Sequence, residues 1–164
     1  IGHTAATRSS FIYWSRGALV EASRSGGAAR RLVALAQPPQ AIVAAAGRIA
    51  WLERSMDRRF TLRALIGKTA RTAYASPGSI DAIAAAGDAL VFVERPAGSD
   101  WRIGRVPAGG GAPAFTPLRS GRAPAMLSVS SKGLRFSPTT SPTVTARAAT
   151  SRSTTRRAAS ALAR

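Results

Sequence analysis

The chain has no cysteine and no asparagine, one histidine, and only two lysines among its 24 cationic residues. Without cysteine there are no disulfides and no thiolate metal sites. Without asparagine there is no Asn-X-Ser/Thr acceptor for glycosylation. His3, with no thiol or second imidazole to join it, gives no ordinary zinc site, and a Ser-His-acid triad would have to be built on that one residue. Acids are scarce too: seven Asp and Glu, none after Asp100, leave a formal charge of +17. Long apolar runs are missing. The longest charge-free stretch, residues 32–47, is broken by Gln37, Pro38, Pro39 and Gln40 and is too short to span a bilayer. The expectation is a soluble chain with no membrane span. Its opening, "IGHTAATRSS", lacks the basic start and apolar run of a signal peptide, and starting at Ile1 it reads as a processed or truncated piece.

What is present is ordinary in amount and biased in kind. Hydrophobic residues make up 45% of the 164, a globular share. Lys68 and Lys132 leave 22 of the 24 cations as arginine, and with abundant Ala, Gly and Pro this points to a GC-rich genome. That bias accounts for part of the basicity without any functional selection.

The organisation lies in a repeat. "AAAGRIAWLE" (residues 44–53) and "AAAGDALVFVE" (residues 84–94) share a small-residue run, a glycine, an alternating apolar stretch, an aromatic and a glutamate. The aromatics Trp14, Trp51, Phe92 and Phe136 are 37, 41 and 44 residues apart. Ile12, Ile49, Leu90 and Leu134 stand two positions before them, which puts each pair on one face of a strand. Downstream, "GALVEASRSGGAARRLVAL", "FTLRALIGKTARTAYA" and "WRIGRVPAGGGAPAFTPL" each read as strand, glycine turn, strand. About four short strands in about 40 residues is the period of a propeller blade. The predicted fold is all-β, a partial β-propeller of about three to four four-stranded blades with a poorly ordered basic C-terminal tail. Blades occupy residues 1–136, as repeats of about 1–37, 38–76, 77–122 and 123–136 onward, with a Ser/Thr/Ala/Arg-rich tail at 137–164. The tail has three readings: a degenerate fourth blade, a disordered extension, or sequence not selected for folding, such as a frame error would leave.

On these residues the first copy, "FIYWSRGALVEASRSGGAARRL", resembles repeats of the YWTD, NHL and TolB-like group of six-bladed propellers. Tyr13, Trp14 and Ser15 match the first three YWTD positions by type, and Arg16 stands where that family has its aspartate. The resemblance covers residues 11–136 and implies a bacterial surface or periplasmic propeller, extracellular or periplasmic in location. It also implies incomplete closure, so that this is a fragment of a larger ring or self-associates to complete one.

Motifs for chemistry are few. Gly67-Lys68-Thr69 resembles the end of a phosphate loop, but position 62 is Leu62 where that loop needs glycine, and the turn falls in a hairpin. Gly109-Gly110-Gly111 reads as a hairpin turn. Asp81 is an acid in the innermost-strand run "SIDAIAAAG" and the one metal candidate; a calcium site wants six to eight oxygens, and no other repeat offers a carboxylate there. Glu53 and Glu94 recur together and read as marking one rim. The repeated aromatics read as packing between blades rather than a stacking platform.

No catalytic residue and no cofactor are assigned. The expected function is a non-enzymatic binding or scaffold module, meeting a protein, peptide or glycan at the propeller rim. One alternative is a nucleic-acid or polyanion binder acting through Arg147, Arg152, Arg156, Arg157 and Arg164 in the tail. The other is a fragment of a calcium-dependent propeller hydrolase.

Overall fold

The computed structural model describes residues 3–45, 47–118, 126–130, 133–137 and 144–146, and every element in it is a β-strand. The first sheet holds β1 (Thr4–Ala6), β2 (Ser10–Ser15), β3 (Ala18–Ser23) and β4 (Arg30–Ala34). The second holds β5 (Ala41–Ala45), β6 (Arg48–Arg54), β7 (Phe60–Ile66) and β8 (Thr69–Ser76). The third holds β9 (Gly78–Ala86), β10 (Ala89–Pro96), β11 (Arg102–Pro107) and β12 (Ala114–Pro117). In all three, each strand pairs antiparallel with the next in chain order. A fourth, three-stranded sheet follows, of β13 (Met126–Ser130), β14 (Gly133–Ser137) and β15 (Val144–Ala146). The stretch beyond residue 136, read above as tail, thus contributes a strand paired with β14.

Tight turns make these meanders possible. Between β2 and β3 the chain reverses in Arg16-Gly17, both at positive φ (46° and 74°), a backbone whose twist matches the flanking strands. Gly67-Lys68 is likewise a two-residue hairpin turn, joining β7 to β8.

The sheets pack face to face, and side-chain alternation decides which neighbour each residue meets. In β6, Ile49 and Trp51 face the first sheet and join Ile12, Leu19, Leu35 and Ile42. Ala50 and Leu52, on the other side of the same strand, join Ile83, Leu90 and Phe92 of the third. A strand covered on both faces reads as a continuous apolar run, which is why "RIAWLE" and "ALVFVE" lack clean polar alternation. Trp51, Leu90 and Phe92 are completely buried, and each such side chain contributes roughly 1.5–3 kcal/mol relative to exposure. The third sheet's far face carries Val93 and Trp101. The leading strands neighbour one another in chain order: β1 lies beside β5, β5 beside β9, and β9 beside β13.

The first sheet is offset by one residue from the aromatic spacing. Its β1–β2 turn closes on Thr7 and Ser10, whose N–H···O distance is 2.8 Å, with the Thr7 hydroxyl accepting from the Ser10 N–H at 2.9 Å. The corresponding closing pairs are Ala45–Arg48 and Ala86–Ala89. Counted from them, Tyr13 is the counterpart of Trp51 and Phe92, and Trp14 falls one place on. Trp14 therefore packs forward on the second sheet, whereas Trp51 and Phe92 face the sheet before them. Tyr13, Val20 and the 41%-exposed Phe11 form the first sheet's outward face, on which no described sheet packs. Arg24 lies 4.6 Å over the Phe11 ring.

Candidate functional site

Two arrangements bring chemistry-bearing residues together: a basic cleft between the first and second sheets, and a buried carboxylate between the second and third. The cleft measures about 730 Å³. It opens where three hairpin turns meet: Arg8-Ser9 after β1, Gly47 before β6, and Gly67-Lys68 before β8. Ile12, Leu32, Ile49 and Leu65 supply its apolar walls. Arg8, Arg30, Arg31, Arg48 and Lys68 line it against one acid, Glu21. Glu21 is already engaged: it accepts from Arg30 Nη2 at 2.6 Å and from Ser10 Oγ at 2.9 Å, and these bonds hold its carboxyl below the usual carboxylate range. The other four cations form no ion pair among the described residues. Spacing along the chain hides this cleft, because its residues come from five strands and three turns.

Glu94, read with Glu53 as marking one rim, is completely buried between the second and third sheets. Its carboxylate accepts from Tyr74 Oη at 2.9 Å, from Ser76 Oγ, and from Arg102 through Nε at 2.9 Å and Nη2 at 2.8 Å. Burial, and then the neighbouring carboxylate, push the Tyr74 phenol up to about 12. Arg102 also lies 3.6 Å over the Phe115 ring. In the second sheet the matching Glu53 accepts from Trp51 Nε1 at 2.7 Å and stands 3.7 Å from Arg63. The repeated acids are thus polar clasps beside the aromatic they follow. A burial-only reading of sequence misses them, because glutamate is rarely fully buried unless paired.

Asp81 sits in β9 at a bulge: Ala82 pairs with Val93 and Ile80 with Glu94, leaving Asp81 the extra residue. It is exposed, yet desolvation by the sheet raises its pKa, partly opposed by Arg95. Among the described residues no three His, Cys, Asp or Glu side chains gather where they would hold a metal ion. His3 Nδ1 lies 2.7 Å from the Pro39 carbonyl oxygen and ties the start of the first sheet to the linker. Trp14, Trp51 and Phe92 all pack between sheets. The side chain of Phe136 and the tail arginines Arg147, Arg152, Arg156, Arg157 and Arg164 lie outside the described residues. No helix among the described residues is long and apolar enough to cross a membrane.

Compared with protein-family models and with curated proteins, the chain matches none.

Proposed function

We propose that the chain is a non-enzymatic binding and scaffold module built of propeller blades. One observation carries this reading: three four-stranded meanders stack face to face with their leading strands side by side in chain order. That is how blades are arranged about a propeller axis, and such folds meet ligands with loops and clefts drawn from several blades. The open outward face of the first sheet, with Phe11 and Tyr13, supports a ring completed by further blades or by second copies. A protein, peptide or glycan at the loop ends is the partner class this fold would serve. The reading as a calcium-dependent hydrolase fragment is not favoured by any grouping of acids in the described residues.

Brief trypsin digestion with intact-mass readout tests the module directly, since arginines punctuate every sheet. Sheets that pack as one unit protect residues 4–118 together. Equal, rapid cleavage after Arg30, Arg58 and Arg71 would show that the sheets do not form such a unit. Sedimentation over a range of concentrations then reads ring completion as a concentration-dependent increase in mass.

A further inference from the structure

Resting on the reading of the chain as a binding module, we infer that the cleft between the first and second sheets binds an organic phosphate or sulfate ester with an apolar body. Its volume of about 730 Å³ is that of a small-molecule site rather than a track for a polymer. The charge pattern names the ligand's sign. Arg8, Arg31, Arg48 and Lys68 border the cleft without an acid partner, while the one acid there is held by Arg30 and Ser10. All seven acids of the chain lie at or before Asp100, within the described residues, so no further carboxylate side chain is available to neutralise these cations. Four unpaired cations around one opening suit a ligand group with two negative charges or three acceptor oxygens, to which Arg gives charge-assisted bonds. The walls name the rest of the ligand. Leu32 and Leu65 face the space from the two sheets, and an apolar body between them would leave water as they do. Gly47 and Gly67 at the mouth carry no side chain to fill it.

The test is titration calorimetry of the full chain in low salt with 1-naphthyl phosphate, 1-naphthyl sulfate and inorganic phosphate. Saturable binding of one naphthyl ester per chain is expected, at least about tenfold tighter than inorganic phosphate, because the ring adds apolar burial. Whichever naphthyl ester binds better identifies the headgroup. Affinity should fall as salt rises. Lys68→Gln and Arg31→Gln should each weaken binding by about three- to tenfold, as loss of a charge-assisted bond does. Arg71→Gln, the same charge change outside the cleft, should leave it unaltered. No saturable binding by a chain whose residues 4–118 resist trypsin would overturn this inference and leave the module reading standing. Loss of trypsin resistance would instead strike the module reading. Inorganic phosphate binding as tightly as the esters, or an equal loss on Arg71→Gln, would also overturn the inference, the first by removing the apolar body and the second by removing the site.

Discussion

Arg16 adopts φ of 46°, a region where a side chain crowds its own carbonyl, and it does so in the first of two positions that both need positive φ. Asparagine tolerates that conformation far better, and Asn-Gly is the favoured pair for this turn. Arg16→Asn should stabilise the fold by about 0.5–1 kcal/mol, read as a higher urea midpoint with unchanged slope. Glu94 makes the opposite case. Removing it as Glu94→Ala takes the shared acceptor from Arg102, Tyr74 and Ser76 between two sheets, so a loss of about 2–4 kcal/mol is expected in the same measurement. Glu94→Gln keeps the acceptor oxygen and should lose less. Tyr74 adds a pH signature. Its phenol is neutral in both states below pH 10; between 10 and about 12 the unfolded chain ionises it while the folded chain keeps it protonated. Its contribution is therefore full below pH 10 and lost as pH rises toward 12. Urea unfolding at pH 9 and 11 should show a smaller alkaline loss in Tyr74→Phe than in the parent.

At the scale of strands, the close fit of β10 on β11 rests on a pair the sequence does not flag. Gly104 lies opposite Phe92, and the ring occupies the space a Cβ would need. Gly104→Ala should therefore push Phe92 off its stack with Tyr74, whose centroid is 4.7 Å away, and destabilise the fold by about 1–3 kcal/mol. Loss of the near-UV aromatic circular dichroism at native far-UV signal would report the displaced ring. Strand existence was legible in the sequence because alternation and glycine turns are local properties. The face each strand presents was less so. Aromatic spacing equates Trp14 with Trp51, but the Thr7–Ser10 hydrogen bond sets the first register, and a one-residue offset sends a side chain to the opposite neighbour. The same limit hid the cleft and the Glu94 clasp: both are made by sheets meeting, and no spacing within one repeat encodes which residue of the next repeat will face it.

At the scale of the whole molecule, each sheet among the described residues is made of strands consecutive in the chain, and none of these strands is lent to another sheet. Residues 35–40 link the first sheet to the second, and the backbone bonds made there turn back into the adjoining sheet, Leu35 N–H to the Gly17 carbonyl and Gln40 N–H to the Leu52 carbonyl. Among the described residues backbone pairing is therefore finished within a sheet, and side-chain contact, reinforced by His3 on Pro39, holds the first sheet to the second. A chain of this design is separable. Cut between Gln37 and Pro38, it yields two pieces that each keep complete strand ladders and differ from the parent by one bared apolar face. Co-expressed as separate polypeptides, they should find each other again, and a split reporter fused to the new ends would register the reunion. Trp51→Ala, which removes the largest fully buried side chain from the meeting faces, should silence that signal. The interface between repeats would then act as a recognition surface in its own right, with the covalent linker serving only to keep its two sides at high local concentration.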